Sequence, residues 1–210
     1  MNYSILGDSD CPLVQIHLQD GESVKIENGS MAYLSDVVLE GKMNSSKKGL
    51  GGVLGAIGRG LTSGESIFIT HATGTSSRGE IGIAPPIPGK IHVLKVGGAN
   101  QYRLNTGAFL ACDETEYGLL KAFMENIGKA LFGGTGGLFV METQGTGDLL
   151  VSAFGDLLAL KVTSDRPIRV DNEHVVAWDA SLDYSIQVAS GTFGFTTGEG
   201  LVNEFHGNGT

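Results

Sequence analysis

Three side chains in this sequence have the type and placement to hold a metal ion. His71, Glu142 and Glu204 each stand three residues before a glycine, Gly74, Gly145 and Gly207, and the stretches those glycines close resemble one another. One imidazole and two carboxylates form a donor set that suits a divalent transition metal. Brought to a common axis, they would make the metal or small-molecule site of an enzyme. Thr73, Gln144 and His206, one residue before the same glycines, would stand beside them. If the copies face outward, the same residues are simply polar ends of three strands. Both readings are open at this stage.

Other chemistry finds less support. A phosphate-binding loop needs GxxxxGK[ST], and no such run exists; Gly145-Thr146-Gly147 and Gly207-Asn208-Gly209 read as turns. The five histidines, His17, His71, His92, His174 and His206, are scattered, and no GxSxG or paired Cys/His pattern accompanies them. Glu65 and Glu199 each follow a glycine and precede an apolar strand, which suggests an acid/base pair. The second copy has Gly137 at that place, so capping of turn donors is the simpler role. No catalytic residue and no cofactor are therefore expected.

The elements that must position these residues are written three times. Val24 to Ala32, Tyr102 to Leu110 and Ile168 to Val176 each place a basic residue, Lys25, Arg103 or Arg169, between two apolar ones. A polar turn and an apolar pair follow, leading to Asp36, Asp113 and Asp179. Ahead of each copy lies a strand-like run: Val14–Leu18, Ile91–Val96 and Leu157–Val162. Self-similarity at this spacing indicates one supersecondary unit used repeatedly. The boundaries fall at residues 1–88, 89–154 and 155–210, the first ending in the stiff run Ala84-Pro85-Pro86-Ile87-Pro88. By comparison with its siblings, the third module is expected to lack its last strand. Two inserts, Gly49–Leu61 and Leu119–Leu131, space apolar residues as short helices do, although glycines weaken the first.

Composition limits the partners. The chain has 210 residues, 33 of them glycine, which suits the turns and bulges of a β-rich protein. A net charge of −9 with dispersed basic residues argues against nucleic acid as the main partner. No apolar run approaches the roughly 18 residues of a spanning helix, so no stable membrane insertion is expected. The Gly49–Leu61 stripe, with only Lys47, Lys48 and Arg59 nearby, is expected to pack on protein rather than lipid. Cys11 and Cys112 form no CxxC, and with no basic leader at the N-terminus a reducing, cytoplasmic setting fits.

Several of these residues together resemble one family. Gly64-Glu65-Ser66-Ile67, Gly107 to Ala111, Val170 to Asp179 and Thr197 to Gly209 are similar to the glycine-spaced motifs of the mitochondrial-biogenesis family named for altered inheritance of mitochondria. That family has many bacterial members. The resemblance covers nearly the whole chain, and the family's usual continuation after the last Gly-x-Gly is absent here. It implies a fold like the tryptophan RNA-binding attenuator protein (TRAP-like), triplicated in one chain, and supplies no catalytic residues. RNA binding does not follow from that fold, because function lives in sites, and a mitochondrial role does not follow from this N-terminus.

The expected fold is all-β with short helical inserts: triplicated TRAP-like β-sandwich modules around a pseudo-threefold axis. The expected function is that of a non-enzymatic scaffold or interaction protein that self-associates through an open sheet edge and has a possible protein partner. The alternative is a small-molecule or metal-binding enzyme with His71, Glu142 and Glu204 on the axis.

Overall fold

The computed structural model describes residues 1–7, 10–43, 68–113, 120–124, 139–188 and 201–210. These contain strands β1 (Asn2–Leu6), β2 (Leu13–Leu18), β3 (Ser23–Glu27), β4 (Met31–Ser35), β5 (Val37–Met43), β6 (Phe68–Gly74), β7 (Gly79–Ile83) and β8 (Gly89–Val96). They continue with β9 (Tyr102–Asn105), β10 (Phe109–Asp113), β11 (Leu120–Met124), β12 (Phe139–Thr143), β13 (Gly147–Phe154) and β14 (Ile168–Asp171). The last are β15 (Ala177–Asp179), β16 (Asp183–Val188) and β17 (Leu201–His206). Two single 3-10 turns, Thr106–Ala108 and Asn172–His174, are the only helical pieces among the described residues.

The strands form four sheets, ordered β1-β2-β7-β4, β5-β6-β3-β10-β13-β8, β11-β12-β9-β15 and β14-β17-β16. Every named pairing is antiparallel, so alternating side chains go to opposite faces. One core lies between the first and second sheets, where Val14, Ile16 and Leu18 of β2 meet Ile26, Leu110 and Leu150. A second joins the second sheet to the third through Phe109, Cys112, Leu149, Leu104 and Met141. A third gathers Val140 with Val162, Trp178, Leu182 and Phe205 against the fourth sheet. The second sheet is thus covered on both faces, which explains why β10 and the middle of β13 are apolar without alternation.

One strand arrangement recurs. The orders β5-β6-β3, β11-β12-β9 and β16-β17-β14 each place the strand carrying the closing glycine, or leading to it, beside the one carrying Lys25, Arg103 or Arg169. Likewise β2-β7-β4 matches β8-β13-β10. The match extends to irregularities. β4 slips against β7 between Met31 and Tyr33, and β10 slips against β13 between Phe109 and Ala111. This register aligns Leu34 with Cys112 and Ser35 with Asp113. Asp36, expected as the counterpart of Asp113, therefore lies one residue beyond, in a left-handed conformation at φ 52°. Its carboxylate accepts from Ser76 Oγ at 2.8 Å. The closing glycines serve different ends: Gly145 and Gly207 have φ of 104° and 112°, whereas a Cβ on Gly74 would lie 2.3 Å from the Gln19 carbonyl oxygen.

Two expectations change. Leu120–Met124, read as the start of a helix over Leu119–Leu131, is a strand paired along its length with β12. A waiting strand edge outweighs a weak helical periodicity. Residues 119 and 125–131 and the Gly49–Leu61 insert lie outside the described residues, as do Glu65 and Glu199. Leu157–Val162 forms no strand; only Val162 bridges, to Gly209. Its siblings β2 and β8 lie against β7 and β13, and no corresponding strand flanks this run among the described residues. No helix among the described residues is long and apolar enough to cross a membrane.

Candidate functional site

Each of the three proposed metal ligands stands directly across a ladder from the basic residue of its copy. Lys25 pairs in register with His71, Arg103 with Glu142 and Arg169 with Glu204. The same kind of cross-strand pair thus occurs at all three places. The three lie on the second, third and fourth sheets respectively, and no three His, Cys, Asp or Glu side chains come together as a metal-holding group among the described residues.

The local chemistry of the pairs differs. Arg103 Nε donates to Glu142 Oε2 at 2.8 Å, and its guanidinium lies 5.6 Å from the centre of the Tyr184 ring. Tyr184 belongs to a cluster with Trp178 and Phe205, at centroid distances of 5.0 and 6.3 Å. Arg169 Nε donates to Glu204 Oε1 at 3.0 Å, while Gln187 donates to Oε2 at 2.7 Å. Burial alone would raise the Glu204 carboxyl, but the Arg169 hydrogen bond and charge, with Gln187 and His206, outweigh it and hold it below the ordinary range. Lys25 and His71 are buried, and Glu40 stands opposite His71 on β5. Two of the three carboxylate or imidazole groups are therefore already satisfied by guanidinium partners. That chemistry fixes strand register.

Two further polar features escape a search for motifs. The Met1 α-amino group pairs with Asp113, whose other oxygen accepts from the Asp148 backbone at 2.7 Å. Asp148 receives Lys95 Nζ at 2.7 and 2.8 Å and the Tyr3 hydroxyl at 3.0 Å. Burial, reinforced by Asp148, pushes the Tyr3 phenol up to about 12. This network joins the first sheet to the second, and each of its charges has a partner. Glu27 is different. Its Oε2 is buried with no hydrogen-bond partner, and burial pushes its carboxyl up to about 7. The aligned residue of the next copy, Asn105, donates instead to the carbonyls of Asn172 and Val175, at 3.2 and 2.7 Å. No signal for Glu27 lies in the sequence, because Asp171 in the third copy is an acid at the aligned place as well. Of the other expected positions, His17 and His92 lie on strands, His174 ends a 3-10 turn, Cys11 is exposed and Cys112 is buried.

Comparison with known proteins follows the same line as the geometry. The chain matches the family model described as Mitochondrial biogenesis AIM24 over residues 3–210. An uncharacterised protein of Streptococcus pyogenes serotype M6 is 47% identical over 213 residues, covering 100% of this chain and 83% of that protein. The crystal structure of a Streptococcus pyogenes protein, solved by a structural genomics consortium, superposes with a TM-score of 0.75 at 42% identity. That match covers 99% of this chain and 90% of the other.

Proposed function

Because the chain belongs to the mitochondrial biogenesis AIM24 family, we propose that it is a non-enzymatic interaction protein built from three related TRAP-like modules, residues 1–88, 89–154 and 155–210. It works in the cytoplasm and binds protein partners, copies of itself included. The recurring strand orders and the repeated Lys25–His71, Arg103–Glu142 and Arg169–Glu204 registers support the modular reading.

The observation that carries the interaction reading is the run from Phe154 to Leu160. Phe154 is 76% exposed, Leu158 79% and Leu160 41%. Phe154 and Gly155 still pair with Gly89 at the end of β13, but from Asp156 to Leu160 the run has the apolar content of a core strand and no ladder beside it among the described residues. An extended apolar segment of this kind is completed by a strand from a partner, with main-chain bonds giving affinity and the leucines giving selectivity. Affinity capture from cell extract tests this. The wild-type chain is expected to recover a stoichiometric protein that Leu158→Asp does not. Recovery of nothing at stoichiometric level by the wild type would remove the reading.

The equivalent register of His71, Glu142 and Glu204 favours one alternative, an enzyme holding a metal or small molecule between copies. Elemental analysis of purified protein separates the two. A stoichiometric transition metal lost in His71→Ala supports the enzyme, and its absence supports the interaction protein.

A further inference from the structure

Among the described residues one kind of strand junction is made twice, and both halves of a third are left unused. At the first junction β3 lies antiparallel to β10, with Lys25 opposite Cys112 and Ile26 opposite Ala111. At the second, β9 lies antiparallel to β15, with Arg103 opposite Trp178 and Leu104 opposite Ala177. Each time a strand bearing the repeated cation hands its free edge to the next copy's counterpart of β4. Continued once more, the relation sets β14 beside β4, with Arg169 opposite Leu34 and Val170 opposite Tyr33. The alignment of Leu34 with Cys112 is independent of this argument. It follows from their partners on β7 and β13, Ile81 and Leu149, and from the shared slip two residues earlier. Yet β4 and β14 each end a sheet among the described residues.

Exposure follows the same division. Where the junction is made, Cys112 is 0% exposed and Trp178 3%; their counterpart Leu34 is 39% exposed. On the other side, Lys25 is 8% exposed and the Arg103 side chain 26%, against 65% for Arg169. All five residues of β4 are exposed, Met31 and Tyr33 among them. The chemistry also matches: every junction sets an uncharged residue opposite the cation, whose acid or imidazole stands on the far strand.

We propose that a second copy of this chain completes the third junction, β14 of one protomer pairing antiparallel with β4 of the next in the register Leu34 opposite Arg169. The proposal deepens the interaction reading by naming one partner and its surface, and it uses a different edge from Phe154–Leu160. A second copy, rather than the chain's own β14, fits the layering. β4 belongs to the first sheet and β14 to the fourth, and none of the three buried clusters joins those two sheets among the described residues. Each protomer offers one edge of each kind, so the contact is head-to-tail and builds a ring or a filament. Edges this apolar otherwise template uncontrolled pairing.

The test uses purified full-length chain carrying Cys11→Ser, which removes the exposed thiol. Leu34→Cys and Arg169→Cys proteins are prepared separately, mixed and oxidised. A disulfide-linked pair of chains that forms only on mixing is the expected result, with light scattering giving a multiple of 21.9 kDa. Leu34→Lys, which sets like charges opposite one another on an exposed strand, should weaken association about tenfold or more. A mass of one chain across a wide concentration range would overturn the proposal. So would a bond closing within one chain in the Leu34→Cys/Arg169→Cys double variant, the mark of a monomer closed on its pseudo-threefold axis. Linked Leu34→Cys chains without the second protein would also overturn it. None of these outcomes bears on partner capture through Leu158, so the two readings fail separately.

Discussion

The strand β2 and the run Leu157–Val162 are near-copies in apolar content and end in opposite states. Val14, Ile16 and Leu18 are fully buried, with β1 hydrogen-bonded on one side and β7 on the other. Leu158 and Leu160 are exposed, and their backbone joins no sheet among the described residues. The apolar pattern alone therefore does not make a strand. It makes a segment able to enter a sheet, and a neighbouring edge decides whether it does.

The most direct way to break this comparison is to truncate one residue from each member. Ile16→Ala removes a side chain packed in the core between the first two sheets and should cost about 2–5 kcal/mol of unfolding free energy. Leu158→Ala should change stability by less than about 0.5 kcal/mol, because the side chain contributes little to the isolated chain. Chemical denaturation of both variants measures the difference. Similar losses would mean that Leu158 is packed in the folded chain and that the two runs are not in different states.

What the sequence revealed and what it hid divide along the same line. The repeats predict β2, β8, β7 and β13, the closing strands, and the equivalence of His71, Glu142 and Glu204 before their glycines, because these depend on local alternation and turn glycines. The pairing of those three with Lys25, Arg103 and Arg169 comes only from the ladders. The geometry of those three side chains was not legible, since a repeat gives equivalence without saying which face or sheet each residue reaches. Leu120–Met124 was misread for a related reason: five residues cannot show whether their spacing is helical or extended, and pairing with β12 settles it. Asp36 was misaligned by one residue because a single left-handed position at the end of β4 leaves no trace in composition. Glu27 was passed over because an acid in a polar turn looks ordinary until its burial is known.

Glu27 sharpens the comparison between copies at a smaller scale, since Asn105 in the aligned place is neutral and bonded. Burial raises the Glu27 carboxyl from 4.5 to about 7 in the folded chain. The folded state therefore holds the proton more tightly than the unfolded state. Its contribution is most favourable below the unfolded value and is lost as pH rises towards 7, after which it is constant. Glu27→Gln should remove this slope. Compared with the variant, the wild type should lose at most about 2 kcal/mol between about pH 5 and pH 8, solvent screening of a half-buried group included. Parallel pH–stability curves for the two proteins would show that Glu27 is not held protonated.

The smallest expected effect separates the covered cation from the uncovered one. Arg103 lies between β12 and β15, bonds Glu142 and sits by Tyr184, so Arg103→Met leaves a half-buried carboxylate without its partner and should cost about 1 kcal/mol. Arg169 faces solvent on the outer side of β14, and its ion pair with Glu204 is screened, so Arg169→Met should leave the stability of the isolated chain unchanged within error. The contrast is conditional on concentration. If β14 is covered by β4 of a second copy, Arg169 becomes equivalent to Arg103, and the cost of Arg169→Met should appear as protein concentration is raised through the association range. An Arg169→Met penalty equal to that of Arg103→Met at every concentration would show that β14 is already covered within one chain.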